Sequence, residues 1–243
     1  INLILTVDCG ISDLEEVKLA KKLKQQVIIC DHHHVPKKIP PALVVIDPHQ
    51  TKDKYPFKDL SGAGVAFKLA SALFSKSQQI GIKIPLGWEK NFLDLVALST
   101  VADCMPLLGE NRTLVKYGLY VLAKTKRLGL QELMRVARLE PTFEKDEIKT
   151  NLDTYSLGFI LAPRLNAAAR VDHANLAYRL LKSQSLDEAA FLAQELDKKN
   201  LQRQKITERL VKQIESRIAD KIKSDTHFVL VEADKSWPVG IVG

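Results

Sequence analysis

The chain lacks several features, and each absence removes a class of protein. No apolar run approaches the roughly 20 residues needed to cross a bilayer. The apolar opening, Ile1 to Val7, has neither a basic lead-in nor a small-residue cleavage site, so it reads as a strand rather than a signal peptide. A cytoplasmic protein with no membrane contact is expected. Cysteine is scarce: Cys9, Cys30 and Cys104 form no C-x-x-C pair, which argues against a disulfide framework and against structural zinc. Each adjoins an acid (Asp8, Asp31, Asp103), and small side chains flooring a site are preferred to thiol catalysis. There is no internal repeat and no low-complexity segment. An initiating Met is also missing, and the first strand begins almost at Ile1, so a piece of a longer protein is expected.

What is present fits a globular chain. Its 243 residues, 46% hydrophobic and 27% charged, suffice for one large domain or two small ones with a sizeable core. A net charge of +7 favours an anionic partner, of which nucleic acid is the commonest.

The N-terminal half alternates strand-like and helix-like segments. Leu3 to Val7 is a buried-strand pattern ending at Asp8-Cys9-Gly10, and Ser12 or Asp13 can cap the helix that follows. Val27 to Cys30 ends at Asp31-His32-His33-His34, and a loop with Pro36, Pro40 and Pro41 leads to a third strand, Leu43 to Ile46. This order predicts an α/β fold with a parallel sheet covered on both faces. Ser61 precedes a Gly62-Ala63-Gly64 helix start, and a helix near Asn91 to Val101 delivers Asp103. From Asn111 on the pattern is mainly helical, interrupted at Pro141 and Pro163. Leu186 to Lys223 contains no Pro or Gly and predicts one long helix; Phe228 to Val231 starts a new strand. The expected divisions are residues 1–183 as a parallel-sheet domain with a helical extension, 184–225 as a connector helix, and 226–243 as the start of a second α/β domain.

Ligands of open parallel sheets bind beyond the carboxyl ends of the strands. Asp8 and Asp31-His32-His33 lie at two such ends, and Asp103 supplies a further carboxylate. Oxygen with some nitrogen suits Mn²⁺ or Mg²⁺, and paired cations activate water and neutralise a phosphoryl group. Taken singly, a strand-end Asp is most often a turn or cap, and a His cluster is often an incidental surface loop.

Larger strings carry a resemblance. Thr6-Val7-Asp8-Cys9-Gly10-Ile11, Asp31-His32-His33, Thr100 to Leu107 and Leu161-Ala162-Pro163-Arg164-Leu165-Asn166-Ala167-Ala168-Ala169-Arg170 resemble, in order, motifs of the DHH phosphoesterases in their RecJ-type branch. Tyr55-Pro56-Phe57 through Leu69 is similar to the same branch. The resemblance implies a metal-dependent exonuclease of single-stranded DNA acting 5′ to 3′ in repair and recombination. Single-stranded DNA would be its partner, with a single-strand-binding protein or helicase as a further one. It implies Asp8, His32 and Asp103 as ligands of two Mn²⁺ or Mg²⁺ ions, Asp8 bridging them. His33 would lie near the scissile phosphate, with Asp31 orienting the loop or an imidazole. Arg164, then Arg170 and Asn166, would contact substrate phosphate, where a guanidinium fork suits phosphate better than an ammonium.

The chain departs from the pattern in four places. No Asp-x-Asp motif precedes Asp8, so the paired-cation site is expected to be incomplete and the chain alone nearly inactive. Ala162 and Ala169 stand where the branch has glycine, and Pro238 where it has histidine. Ser236 to Gly243 resembles the opening of the glycine-rich motif of a second, DHHA1-type domain, leaving backbone donors near Gly240 as a substrate contact. Two other readings stay open: a relative acting on short RNA or cyclic dinucleotides, and a non-catalytic member that binds DNA or a protein. Nine basic and three acidic residues from Lys198 to Lys223 read mainly as a solvated face, a few of them lining a channel for a single strand.

Overall fold

The computed structural model describes residues 2–144, 147–149, 152–171, 175–222, 231–238 and 240–241. The chain forms two compact units, Ile1–Thr125 with Pro141–Gly158, and Lys126–Glu140 with Phe159–Gly243.

The first unit is built on a parallel sheet of β1 (Leu3–Val7), β2 (Gln26–Cys30) and β3 (Val44–Ile46), in that order. Val7 pairs with Cys30 and Cys30 with Ile46, so the strands end level. The residues that follow, Asp8, Asp31 and Asp47, therefore emerge along one rim. Strand faces alternate with period 2. Helix α1 (Leu14–Lys22) presses Val17 and Ala20 onto the face carrying Val27 and Ile29. Helices α2 (Gly62–Gln79), α3 (Leu93–Ala102) and α4 (Gly109–Ala123) bury Val65, Val96 and Leu114 against the opposite face, at Cys30. The double cover expected from the continuous apolar strands is thus present at β2. On β1 it is partial: Leu3, Leu5 and Val7 remain 42–49% exposed.

Ser61 caps α2 by accepting a hydrogen bond from the Gly64 N–H at 3.2 Å, as its place before Gly62 predicted. A 3₁₀ turn, Trp88–Phe92, precedes α3, so that helix starts slightly later than expected and still ends at Asp103. The interruption at Pro141 is a hairpin, β4 (Thr142–Glu144) against β5 (Glu147–Lys149), inside a stretch read as mainly helical. A proline ahead of strand-forming Thr142 and Phe143 is poorly suited to continue a helix.

The second unit holds α5 (Leu128–Val136), α6 (Ala162–Val171), α7 (Asn175–Lys182) and α8 (Leu186–Ile222). Pro163 does not interrupt the helix. A π-helical stretch, Ser156–Leu161, runs directly into α6, so the missing N–H of Pro163 falls at the junction where the wider π turn gives way to the α-helix. Helix α8 has 37 residues, about 55 Å at 1.5 Å each. Ala189, Leu192, Ala193 and Leu196 are buried in its first half, where it packs on α5, α6 and α7. The expected strand Phe228 to Val231 lies outside the described residues except for Val231. After it, Asp234 pairs with Arg217 at 2.7 Å and Trp237 lies under that guanidinium. Among the described residues no helix is long and apolar enough to cross a membrane.

Candidate metal centre

The β1 backbone ends in a left-handed turn. Asp8 has φ +63, an uncommon conformation for a residue with a side chain, while its N–H still bonds the Cys30 carbonyl at 3.0 Å. Beside it, His32 is 8% exposed. Its Nε2 stands 3.0 Å from Asp8 Oδ1 and 3.3 Å from Asp103 Oδ2, yet forms no hydrogen bond to either. A buried ring nitrogen between two carboxylates, without hydrogen-bond geometry, is the arrangement a cation satisfies. Ligand atoms of Asp8, His32 and His33 all fall within 4.8 Å of one another. The donor set, carboxylate oxygen with imidazole nitrogen, fits Mn²⁺ and Mg²⁺.

The neighbours set the charges. Burial raises the Asp8 pKa, His32 opposes this, and the negative charge of Asp103 adds to it. A nearby cation would reverse that balance. Asp31 is nearly inaccessible, and burial alone would raise its pKa. It is lowered instead by hydrogen bonds from the Ile11 N–H, the His33 ring and the N–H groups of His32 and His33. His33 Nδ1 lies 2.7 Å from Asp31 Oδ1, and that bond raises the His33 pKa while most of the ring stays exposed. Asp31 therefore fixes the turn and aims an imidazole that favours its charged form.

Three features escaped the sequence reading. Gly62 is one: a β-carbon there would stand 2.1 Å from Asp8 Oδ1, so the start of α2 forms a cradle only glycine leaves open. The Gly62-Ala63-Gly64 string was legible as a helix start, but its contact with Asp8 was not. Asp47 is the second. It is 1% exposed at the same rim; Oδ1 accepts from the His49 N–H at 2.8 Å, and Oδ2 is buried without a hydrogen-bond partner. Its position just after a predicted strand was the available signal. Asn111 is the third: its amide donates to the Asp59 and Pro106 carbonyls, at 2.6 and 3.0 Å, tying the loop before Ser61 to the loop after Asp103.

The structure does not gather every predicted residue into this cluster. Arg164 and Asn166 belong to the second unit. Arg164 Nε donates to Asp197 Oδ1 at 2.8 Å and Nη1 to the Ile160 carbonyl at 2.8 Å; among the described residues Nη2 has no hydrogen-bond partner. Asn166 is exposed on α6. The Arg170 side chain lies outside the described residues. Gly240 sits in a turn closed by the Ile241 N–H on the Pro238 carbonyl at 2.9 Å.

The chain is similar to known proteins. A family model for the DHH family, N-terminal domain, matches residues 2–100. The single-stranded-DNA-specific exonuclease RecJ of Bacillus subtilis (strain 168) is 38% identical over 242 residues, 100% of this chain and 28% of that protein. RecJ of Escherichia coli (strain K12) is 38% identical over 252 residues, 99% of this chain and 42% of that protein. The chain thus spans well under half the length of these curated relatives. A crystal structure of exonuclease RecJ bound to manganese superposes with a TM-score of 0.74 at 34% identity, over 89% of this chain and 51% of that one. RecJ of Thermus thermophilus in complex with Mn²⁺ gives 0.72 at 35% identity, over 87% and 30%. The rim of acids and imidazoles, the parallel sheet beneath it and these matches agree: the chain belongs to the DHH family and is a homologue of part of the RecJ exonucleases.

Proposed function

We propose that this chain carries the metal-binding core of a 5′-to-3′ exonuclease that hydrolyses phosphodiester bonds of single-stranded DNA in repair and recombination. The observation that carries the reading is His32 Nε2, buried without a hydrogen bond between the carboxylates of Asp8 and Asp103. Asp8, His32 and Asp103 would hold Mn²⁺ or Mg²⁺. When bound, such ions supply an activated water and offset phosphoryl charge. His33, oriented by Asp31, presents its ring edge toward a substrate phosphate. Arg164 offers the free edge of a guanidinium already fixed by Asp197, and Asn166, Arg170 and the backbone near Gly240 extend the phosphate contacts. Residues 1–183 are read as the phosphoesterase domain, 184–225 as a connector and 226–243 as the opening of a substrate-gripping domain. Single-stranded DNA is the proposed partner, a single-strand-binding protein or helicase a further one, and the cytoplasm the place of action.

With Asp8 and Asp103 as its only proposed carboxylate ligands, the 243-residue chain alone should hydrolyse little. A chimera tests the reading fairly: the matching span of Bacillus subtilis RecJ is replaced by this chain. In Mn²⁺ the chimera should release mononucleotides from the 5′ end of a single strand, and Asp8→Asn should abolish the release. A folded, Mn²⁺-binding chimera that leaves single strands intact while degrading short RNA or cyclic dinucleotides would refute it.

A further inference from the structure

The turn after β3 holds polar atoms that the metal centre leaves unused. Asp47 emerges there, 1% exposed and two strands along the sheet from Asp8. The turn is firmly tied. Asp47 Oδ1 accepts from the His49 N–H at 2.8 Å, and the Gln50 amide donates to the Val45 and Asp47 carbonyls at 3.0 and 3.2 Å. Two buried atoms within it, Asp47 Oδ2 and His49 Nδ1, have no hydrogen-bond partner among the described residues. His49 Nδ1 stands 3.6 Å from Asp47 Oδ1, too far for a hydrogen bond. Oxygen and nitrogen donors sharing one tetrahedral Zn²⁺ lie about 3.4 Å apart, so the same spacing suits a common ion. A second imidazole is at hand: the His34 ring centroid is 5.6 Å from that of His49, close enough for one nitrogen of each to reach the same ion. His34 is exposed, which gives an ion a way in. A water molecule would satisfy an orphaned atom but leave the buried carboxylate charge unbalanced. A cation offsets that charge and serves both residues.

We propose that Asp47, His49 and His34 form a second cation site, separate from Asp8, His32 and Asp103, that takes a borderline divalent ion of the Zn²⁺ class. Two imidazoles with one carboxylate suit Zn²⁺, whereas Mg²⁺ seeks oxygen. An ion held there fastens the loop after β2 to the turn after β3, whatever reaction the neighbouring centre serves.

The test is calorimetric titration of the tag-free 243-residue chain with Zn²⁺ in a His32→Ala background, which disables the first centre. One equivalent of Zn²⁺ should still bind and should raise the thermal midpoint. Adding His34→Ala, at an exposed position, should weaken that binding tenfold or more. Adding His49→Ala should abolish it; the bond that closes the turn uses the His49 backbone N–H and survives the change. Co²⁺ in place of Zn²⁺ should give the strong visible absorption of a four-coordinate ion, lost in both variants. In the chain with His32 intact, His49→Ala should lower the Zn²⁺ stoichiometry by one equivalent, a readout that does not depend on how well the His32→Ala chain folds. Zn²⁺ stoichiometry and affinity unchanged by His49→Ala and His34→Ala would overturn the proposal. So would a folded His32→Ala chain that takes up no Zn²⁺.

Discussion

Gly62 has no β-carbon, and Asp8 fills the space one would take. Gly62→Ala should therefore displace the Asp8 carboxylate and weaken Mn²⁺ binding by tenfold or more, read by calorimetric titration, with a smaller loss of stability. Asp47 argues in the other direction. Burial raises its pKa, so the folded state prefers it protonated. Its contribution is most favourable below the unfolded value near 3.8 and is lost as pH rises through the higher folded value. At neutral pH the molecule thus keeps a buried carboxylate with one oxygen unpartnered. Asp47→Asn retains the acceptor for the His49 N–H and should stabilise the protein at pH 7 by about 1 kcal/mol, or about 3 °C. The gain should vanish near pH 3. His33 gives a third test: the Asp31 hydrogen bond raises its pKa, so an NMR titration of the ring should show a midpoint above 6.5. Asp31→Asn should bring that midpoint down. The charged ring's favourable contribution is present below pH 6.5 and fades as pH rises through the folded value.

Helices reveal which parts of the fold their letters carry. In α3 and α4 the backbones come so close that a β-carbon on Gly118 would lie 2.3 Å from the Leu93 carbonyl; on Gly129, in α5, it would lie 1.9 Å from the Leu180 carbonyl. Gly129→Ala should accordingly cost about 1–3 kcal/mol in chemical denaturation, as overpacking does, although alanine is the better helix former. The strands, α1, the Ser61 cap and the long helix were legible because apolar period and capping residues are local signals. The hairpin after Pro141 was not, because strands of three residues leave too little alternation to set against a helical surround. The pairing of Arg164 with Asp197 was equally hidden: it joins residues 33 apart in sequence, and no periodicity announces a partner at that separation. That Asp8, His32 and His33 would meet at one rim was legible from their places after two predicted strands, and that Asp103 would join them from its place after a predicted helix. The Gly62 cradle was not, because it depends on how two loops meet.

For the molecule as a whole, a site confined to one of two compact units has a thermodynamic signature. A ligand that binds only the folded first unit raises that unit's stability by mass action, about 2.7 kcal/mol at a concentration one hundred times its Kd. Differential scanning calorimetry with and without Mn²⁺ should move the transition of the sheet-bearing unit, and His32→Ala should remove the shift. The distribution of sulfur adds a convenience. Cys9 and Cys104 are exposed immediately after Asp8 and Asp103, whereas Cys30 is buried at the end of β2 with its thiol pushed up to about 11 by burial. An alkylating reagent should thus consume two equivalents on the native chain and a third only when the sheet opens. The outer pair becomes a resident reporter of whatever occupies the rim, and the inner thiol a clock for global unfolding.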